Sequence, residues 1–202
     1  MEQVRKDNEF ITTYRTFIKR EGADKLLDYL IGKSDFFTAP ASSKFHCDFE
    51  GGLCAHSLNV YHRLVALLQA EYGDGWKELY SPETVAIVGL LHDLCKIDYY
   101  EVDYRNVKNK DGGWEKVPYY RVEDKLPYGH GEKSVYIIGG FMRLTREEAM
   151  AINWHMGGFD DRVRGGSYTV GVAFQQYPLA VLAHTADFLA TYLDEKKDDA
   201  EQ

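Results

Sequence analysis

Val85-Ala86-Ile87-Val88-Gly89-Leu90-Leu91-His92-Asp93-Leu94-Cys95-Lys96 is apolar on every side until it reaches His92 and Asp93. A helix made from it must be buried, because no face is polar enough to meet water. Two adjacent ionisable residues at its end then need a partner. An unpaired carboxylate in an apolar interior costs on the order of several kcal/mol or gives up its charge. The most economical compensator for a histidine beside an aspartate is a divalent metal. His56, His130, His155 and Asp187 are the candidates for its other ligands.

Working outward, helical spacing of apolar residues recurs through most of the chain. Residues 8–20 and 23–31 read as amphipathic helices covering the core. A helix is expected from Gly52 to Tyr72, stopped by Gly73 and Gly75, with His56 in its first turns. Ser81-Pro82-Glu83 launches the buried helix: a serine N-cap, a proline at the first helical position and an acid in the first turn. Residues 99–124 change character. Val102, Tyr104 and Val107, then Asn109-Lys110-Asp111-Gly112-Gly113, then Trp114, Val117, Tyr119, Tyr120 and Val122 read as a β-hairpin inserted between helices. Its tyrosines and Trp114 are expected to pack on the helical body rather than stack on a base. A helix follows from Gly131 to about Arg143, and Thr145 to Glu148 is a capping box opening another that ends near His155. Phe159 to Gln176 reads as a long loop of the kind that covers a site. Pro178 to Leu193 reads as the last helix, and the charged tail 194–202 as solvated and frayed. The organisation is thus 1–44 as N-terminal helices packing on the core, 45–193 as the main domain with its hairpin, and 194–202 as tail.

With 202 residues, 45% of them hydrophobic, the chain can bury a full core without disulfides. A net charge of −8 gives no long-range attraction for polyanions, which argues against duplex nucleic acid as a partner. Cys47, Cys54 and Cys95 form no Cys-x-x-Cys pair and read as small buried residues, reduced thiols suited to a cytoplasm. No apolar signal region opens the sequence, and no run approaches the ~18 apolar residues that span a bilayer. A soluble, cytoplasmic protein without membrane contact is the expectation; its oligomeric state is not legible.

Three segments carry a resemblance: Gly51-Gly52-Leu53-Cys54-Ala55-His56-Ser57-Leu58, Leu90-Leu91-His92-Asp93-Leu94-Cys95-Lys96-Ile97 and Ala183-His184-Thr185-Ala186-Asp187. In order, they resemble the His, His-Asp and Asp signature of the HD-domain superfamily of metal-dependent phosphohydrolases. His130 and His155 fall where the two-metal branch of that family has further ligands. The resemblance implies an all-α HD-domain helical bundle with a small β-hairpin insertion. It also implies a binuclear site, with His56, His92, Asp93 and Asp187 on one ion and His130, His155 and a bridging Asp93 on the other. Cys95 departs from the pattern, since many relatives have glycine there.

Mixed imidazole and carboxylate donors suit two divalent ions, Mn or Fe favoured and Zn, Co or Ni possible, rather than Ca or Mg. The implied activity is cleavage of a phosphate ester of a small molecule, probably a nucleotide, by a metal-bridging hydroxide, with Asp93 and Lys96 as catalytic residues. Lys96 and Lys133 are cations near ligands, read as binding a phosphate oxygen or else as ordinary exposed lysines, and Arg162 and Arg164 as closing over an anion or else as a solvated charged loop. His46 reads either as touching substrate or as surface. His62 and His184 read as ordinary hydrogen-bonded histidines, although His184 shares a helical face with Asp187 and is suited to supporting it. The alternatives are a di-iron oxygenase of the same superfamily, which uses the same ligand set, and a metal- and nucleotide-binding regulatory module without turnover.

Overall fold

The Ser81 hydroxyl accepts from the Thr84 amide and Pro82 takes the first helical position, so the buried helix begins where its start signals lie. In the computed structural model, which describes residues 2–196, the order is α1 (Glu2–Phe17), α2 (Ala23–Gly32), α3 (Gly52–Tyr72), α4 (Trp76–Leu79), α5 (Pro82–Leu91), β1 (Tyr100–Lys108), β2 (Trp114–Val122), α6 (His130–Gly139), α7 (Arg146–Asn153), α8 (Asp161–Arg164), α9 (Thr169–Gln176) and α10 (Pro178–Leu189). The chain is mostly helical, with one two-stranded antiparallel sheet. No described helix is long and apolar enough to cross a membrane.

Every residue of α5 from Val85 to Leu91 is buried, and the helix packs against α1, α3 and α7, while α3 also lies along α10. Residues from Phe10 to Ala190 share one continuous core, so the first 44 residues close the same interior as the rest rather than forming a separate layer. Two glycines set the helix spacing that matters for the site. A Cβ on Gly89 would stand 2.7 Å from the Tyr61 Cα, which lets α5 lie against α3 and brings His92 beside His56. A Cβ on Gly131 would stand 2.3 Å from the Asn153 carbonyl oxygen, so the start of α6 meets the end of α7 and His130 lies near His155.

Several boundaries differ from the sequence expectation. α1 stops at Phe17 because Glu83 accepts from the Lys19 and Arg20 amides at 2.7 and 2.9 Å, drawing the chain out of the helix. α6 ends at Gly139 rather than near Arg143, at a glycine pair that favours no helix. The stretch 159–176 is not a loop: Asp160 caps α8, and α9 fills the remainder, so it is a pair of short helices with a glycine turn between. The last helix passes at Ala190 into a single π turn to Asp194.

The hairpin forms as expected, in register from Tyr100↔Val122 to Lys108↔Trp114, with the Asn109 side chain accepting from the Gly113 amide. Its aromatics are only partly packed. Tyr100, Tyr119 and Tyr120 are half-buried, but Trp114 is 73% and Tyr104 54% exposed, because the outer half of a two-stranded ribbon reaches beyond the helices. The tail also differs from expectation. Asp194 pairs with Arg63 at the surface, and the Glu195 carboxylate is buried in the interior rather than solvated. Residues 197–202 lie outside the described residues.

An ion cluster joins three element ends. The Glu148 carboxylate is fully buried and accepts from Arg20 at 2.7 and 2.8 Å, from the Thr84 hydroxyl at 2.9 Å and from the Thr145 amide at 2.8 Å. The expected capping box is therefore also the seat of a buried salt bridge holding the ends of α1, α5 and α7 together.

Candidate metal centre

Helix α5 ends at Leu91. His92 keeps helical dihedrals, Asp93 leaves them, and a 3-10 turn over Leu94–Lys96 carries the chain away. This turn points the Asp93 carboxylate into the interior, 2% exposed, with its two oxygens facing different partners. Oδ2 lies 3.5 Å from His56 Nε2, 3.7 Å from His92 Nε2 and 2.6 Å from Lys96 Nζ. Oδ1 lies 2.8 Å from His130 Nε2 and 3.4 Å from His155 Nε2. Asp187, from α10, completes the first set at 3.2 Å from His56 Nε2.

The imidazoles are oriented from behind. His92 Nδ1 donates to the Gly89 carbonyl at 2.9 Å and His155 Nδ1 to the Ile152 carbonyl at 2.6 Å; a carbonyl only accepts, so in the neutral ring each Nε2 is left as a lone pair. His56 Nδ1 faces the Glu195 carboxylate at 3.0 Å, and Asn59 donates to the same carboxylate at 2.8 Å. His56, His92 and His155 thus aim Nε2 inward, and His56 Nε2 and His92 Nε2 stand only 3.3 Å apart. Among the described residues, His155 Nε2 is one of three buried side-chain polar atoms with no hydrogen-bond partner, with His46 Nε2 and Ser57 Oγ. Converging lone pairs in a dry interior repel one another unless a cation stands between them.

The spacing fits a metal ion. Two donors each about 2.1 Å from one ion lie about 3.0 Å apart at a right angle and about 3.4 Å apart at the tetrahedral angle. The first set spans 3.2 to 3.7 Å, close to that range. His56, His92 and Asp187 form one group of donors that an ion can join, His92, Asp93 and His155 another, and Asp93, Cys95 and His130 a third.

Without an ion, protons carry the balance of charge. Burial works against a charged His56, but Glu195 and Asp187 outweigh it and hold the imidazole up at about 10. Burial pushes His92 down to about 3. Asp93 stays well below the usual carboxylate range in spite of its burial, because Lys96 and the surrounding histidines favour its charge.

The other expected site residues occupy one cavity of about 1190 Å³ with Asp93, His130 and Asp187 in its wall: Lys96, Lys133, His46, Arg162 and Arg164 all line it. Lys96 is buried rather than a surface lysine. Lys133 is also buried, 2.5 Å from Asp124 and above the Tyr99 ring. The His46 ring lies tilted beside His56, ring centroids 4.9 Å apart, and burial lowers it to about 4. Arg162 pairs with Asp160 and Glu132 and stacks on Trp154 at 3.9 Å, so its charge is already matched; Arg164 lies near Phe159. His184 accepts or donates at no ligand atom but lies 2.7 Å from the His155 carbonyl, and His62 pairs with Glu9 on the surface.

Sequence reasoning missed Glu195 and Asn59. The signal was present: Glu195 follows Asp187 by about two helical turns, which places both on one face, but its place in a run of charges disguised it. No family model matches the chain, and no curated protein or solved structure matches it.

Proposed function

We propose that this chain is an HD-type phosphohydrolase that uses two divalent ions to cleave a phosphate ester of a small molecule, most plausibly a nucleotide. The observation that carries this reading is the division of Asp93, one oxygen toward His56 and His92, the other toward His130 and His155. In this assignment His56, His92, Asp93 and Asp187 hold one ion, and His130, His155 and the shared Asp93 hold the other. Ions bound there supply an activated water and a clamp on the phosphate oxygens.

The chain's own groups do the remainder. Glu195 and the Gly89 and Ile152 carbonyls fix the imidazole orientations. Lys96, beside Asp93 and open to the cavity, presents an ammonium to a phosphate oxygen. Half-buried His46 borders the same cavity and limits water on the His56 side.

The test is phosphate release from nucleoside monophosphates, and alcohol release from a model phosphodiester, by Mn-loaded protein under strict anaerobiosis. Metal-dependent turnover without dioxygen is expected. Oxygen uptake with no ester cleaved assigns the chain to the oxygenase branch, and metal and nucleotide binding without any product assigns it to a regulatory module.

A further inference from the structure

Among the described residues, Cys95 is the cysteine found in a group of candidate metal donors. It is 3% exposed, sits in the middle of the 3-10 turn that leaves Asp93, and its amide donates to Ser134 on α6 at 3.0 Å. That anchor holds the sulfur toward α6. Sγ stands 3.3 Å from His130 Nε2 and 3.7 Å from Asp93 Oδ1, while those two atoms are 2.8 Å apart. A sulfur about 2.3 Å from an ion and a nitrogen or oxygen about 2.1 Å from it lie about 3.1 to 3.6 Å apart across right to tetrahedral angles. The triangle of sulfur, imidazole and carboxylate nearly matches that range. His155 Nε2, buried and without a hydrogen-bond partner 3.4 Å from the same Oδ1, is a fourth donor on the Asp93 side.

We infer that Cys95 is a ligand of the second ion, so that this half of the centre combines sulfur, imidazole and carboxylate and selects Zn, Fe(II) or Co over Mn. This rests on the binuclear reading above. As the sulfur–metal bond forms, the thiol proton is released to solvent, so one proton leaves for each ion bound at this position. Softness follows from the donor: a thiolate favours Zn, Fe(II) and Co, whereas an all-nitrogen and oxygen set accommodates Mn.

Anaerobic titration of the full chain with Co(II) reads the two claims separately. Visible ligand-field bands report cobalt in the imidazole and carboxylate set, and a near-ultraviolet sulfur-to-cobalt charge-transfer band reports the thiolate. Both are expected in the parent. Cys95→Ser is expected to lose the near-ultraviolet band, to keep the visible ones, and to lower the Zn-over-Mn affinity ratio at least ~10-fold. Cys54→Ser is expected to keep both bands. Visible bands without the near-ultraviolet band in the parent overturn the inference and leave the metal centre standing. The absence of any cobalt band overturns the metal centre itself. Should Cys95→Ser fail to fold, X-ray absorption of the Zn-loaded parent decides: a sulfur shell at about 2.3 Å upholds the ligation, and a shell of nitrogen and oxygen alone ends it.

Discussion

Asp93 faces both halves of the centre, and single substitutions separate its work from that of its neighbours. Asp93→Ala should lower metal content at both positions, whereas His130→Ala should spare the ion beside His56; elemental analysis after Mn or Fe loading reads the difference. Finding no more than one ion per parent chain would return His130 and His155 to structural roles. Lys96→Ala should keep the full metal content and fold yet lose at least ~10-fold in kcat/KM on a verified substrate, the scale of one charge-assisted contact. Parental kinetics would strip Lys96 of its phosphate role. Glu195 touches His56 from behind, so Glu195→Ala should weaken the first ion by about 10- to 100-fold in chelator competition while leaving the second in place. Equal losses at both positions would mean that Glu195 supports the fold rather than one histidine.

At the scale of elements, much was legible because strong local signals decided the boundaries. Ser81-Pro82, the Thr145 to Glu148 capping box, the Asn109 to Gly113 turn and the helix stop at Gly73 each satisfy backbone groups with residues a few positions away. What stayed hidden depended on partners distant in sequence. Glu83 ends α1 from 64 residues away, and Glu195 reaches His56 across 139. Residues 159–176, rich in glycine and charge, look like a loop, yet the Asp160 cap and the burial of Ala173 make helices of them. The ligands themselves were readable as isolated charges in apolar segments; the carbonyls behind His92 and His155 were not, since a carbonyl behind an imidazole leaves no mark in the sequence. The junction of α1, α5 and α7 yields a prediction with a sign. Glu148 is held below its ordinary value: burial opposes its charge, but Arg20 and the amide of Thr145 outweigh it. A depressed carboxylate stabilises the fold above its unfolded value, 4.5, and that stability disappears as pH falls through the lower folded value. Glu148→Gln should therefore cost about 3 kcal/mol in urea unfolding at pH 7, the scale of a broken buried pair. The gap between variant and parent should shrink as the pH falls below 4.5. A gap unchanged at acid pH would assign the loss to packing instead of charge.

For the whole molecule, a metal that binds only the folded chain adds stability by mass action. At a free concentration 100 times its Kd, one ion contributes about 2.7 kcal/mol. For a chain of this size that corresponds to about 5–10 °C in Tm, so thermal melts with and without a chelator should differ by at least that much. Coincident melts would mean that the inward-facing imidazoles hold nothing. The separation of His56 and Asp187 along the chain has one more effect. Because the donors His56 and Asp187 are far apart in the chain but 3.2 Å apart in space, an ion joining them would close most of the chain into a loop, as a removable staple does. Withdrawing it would leave α10 and its π turn held to α3 by their packing and by the His56 ion pairs, without that added link. A protease that samples opened chains would then meet the metal-starved molecule more often than the loaded one, so the half-life under limited proteolysis should lengthen when metal is added.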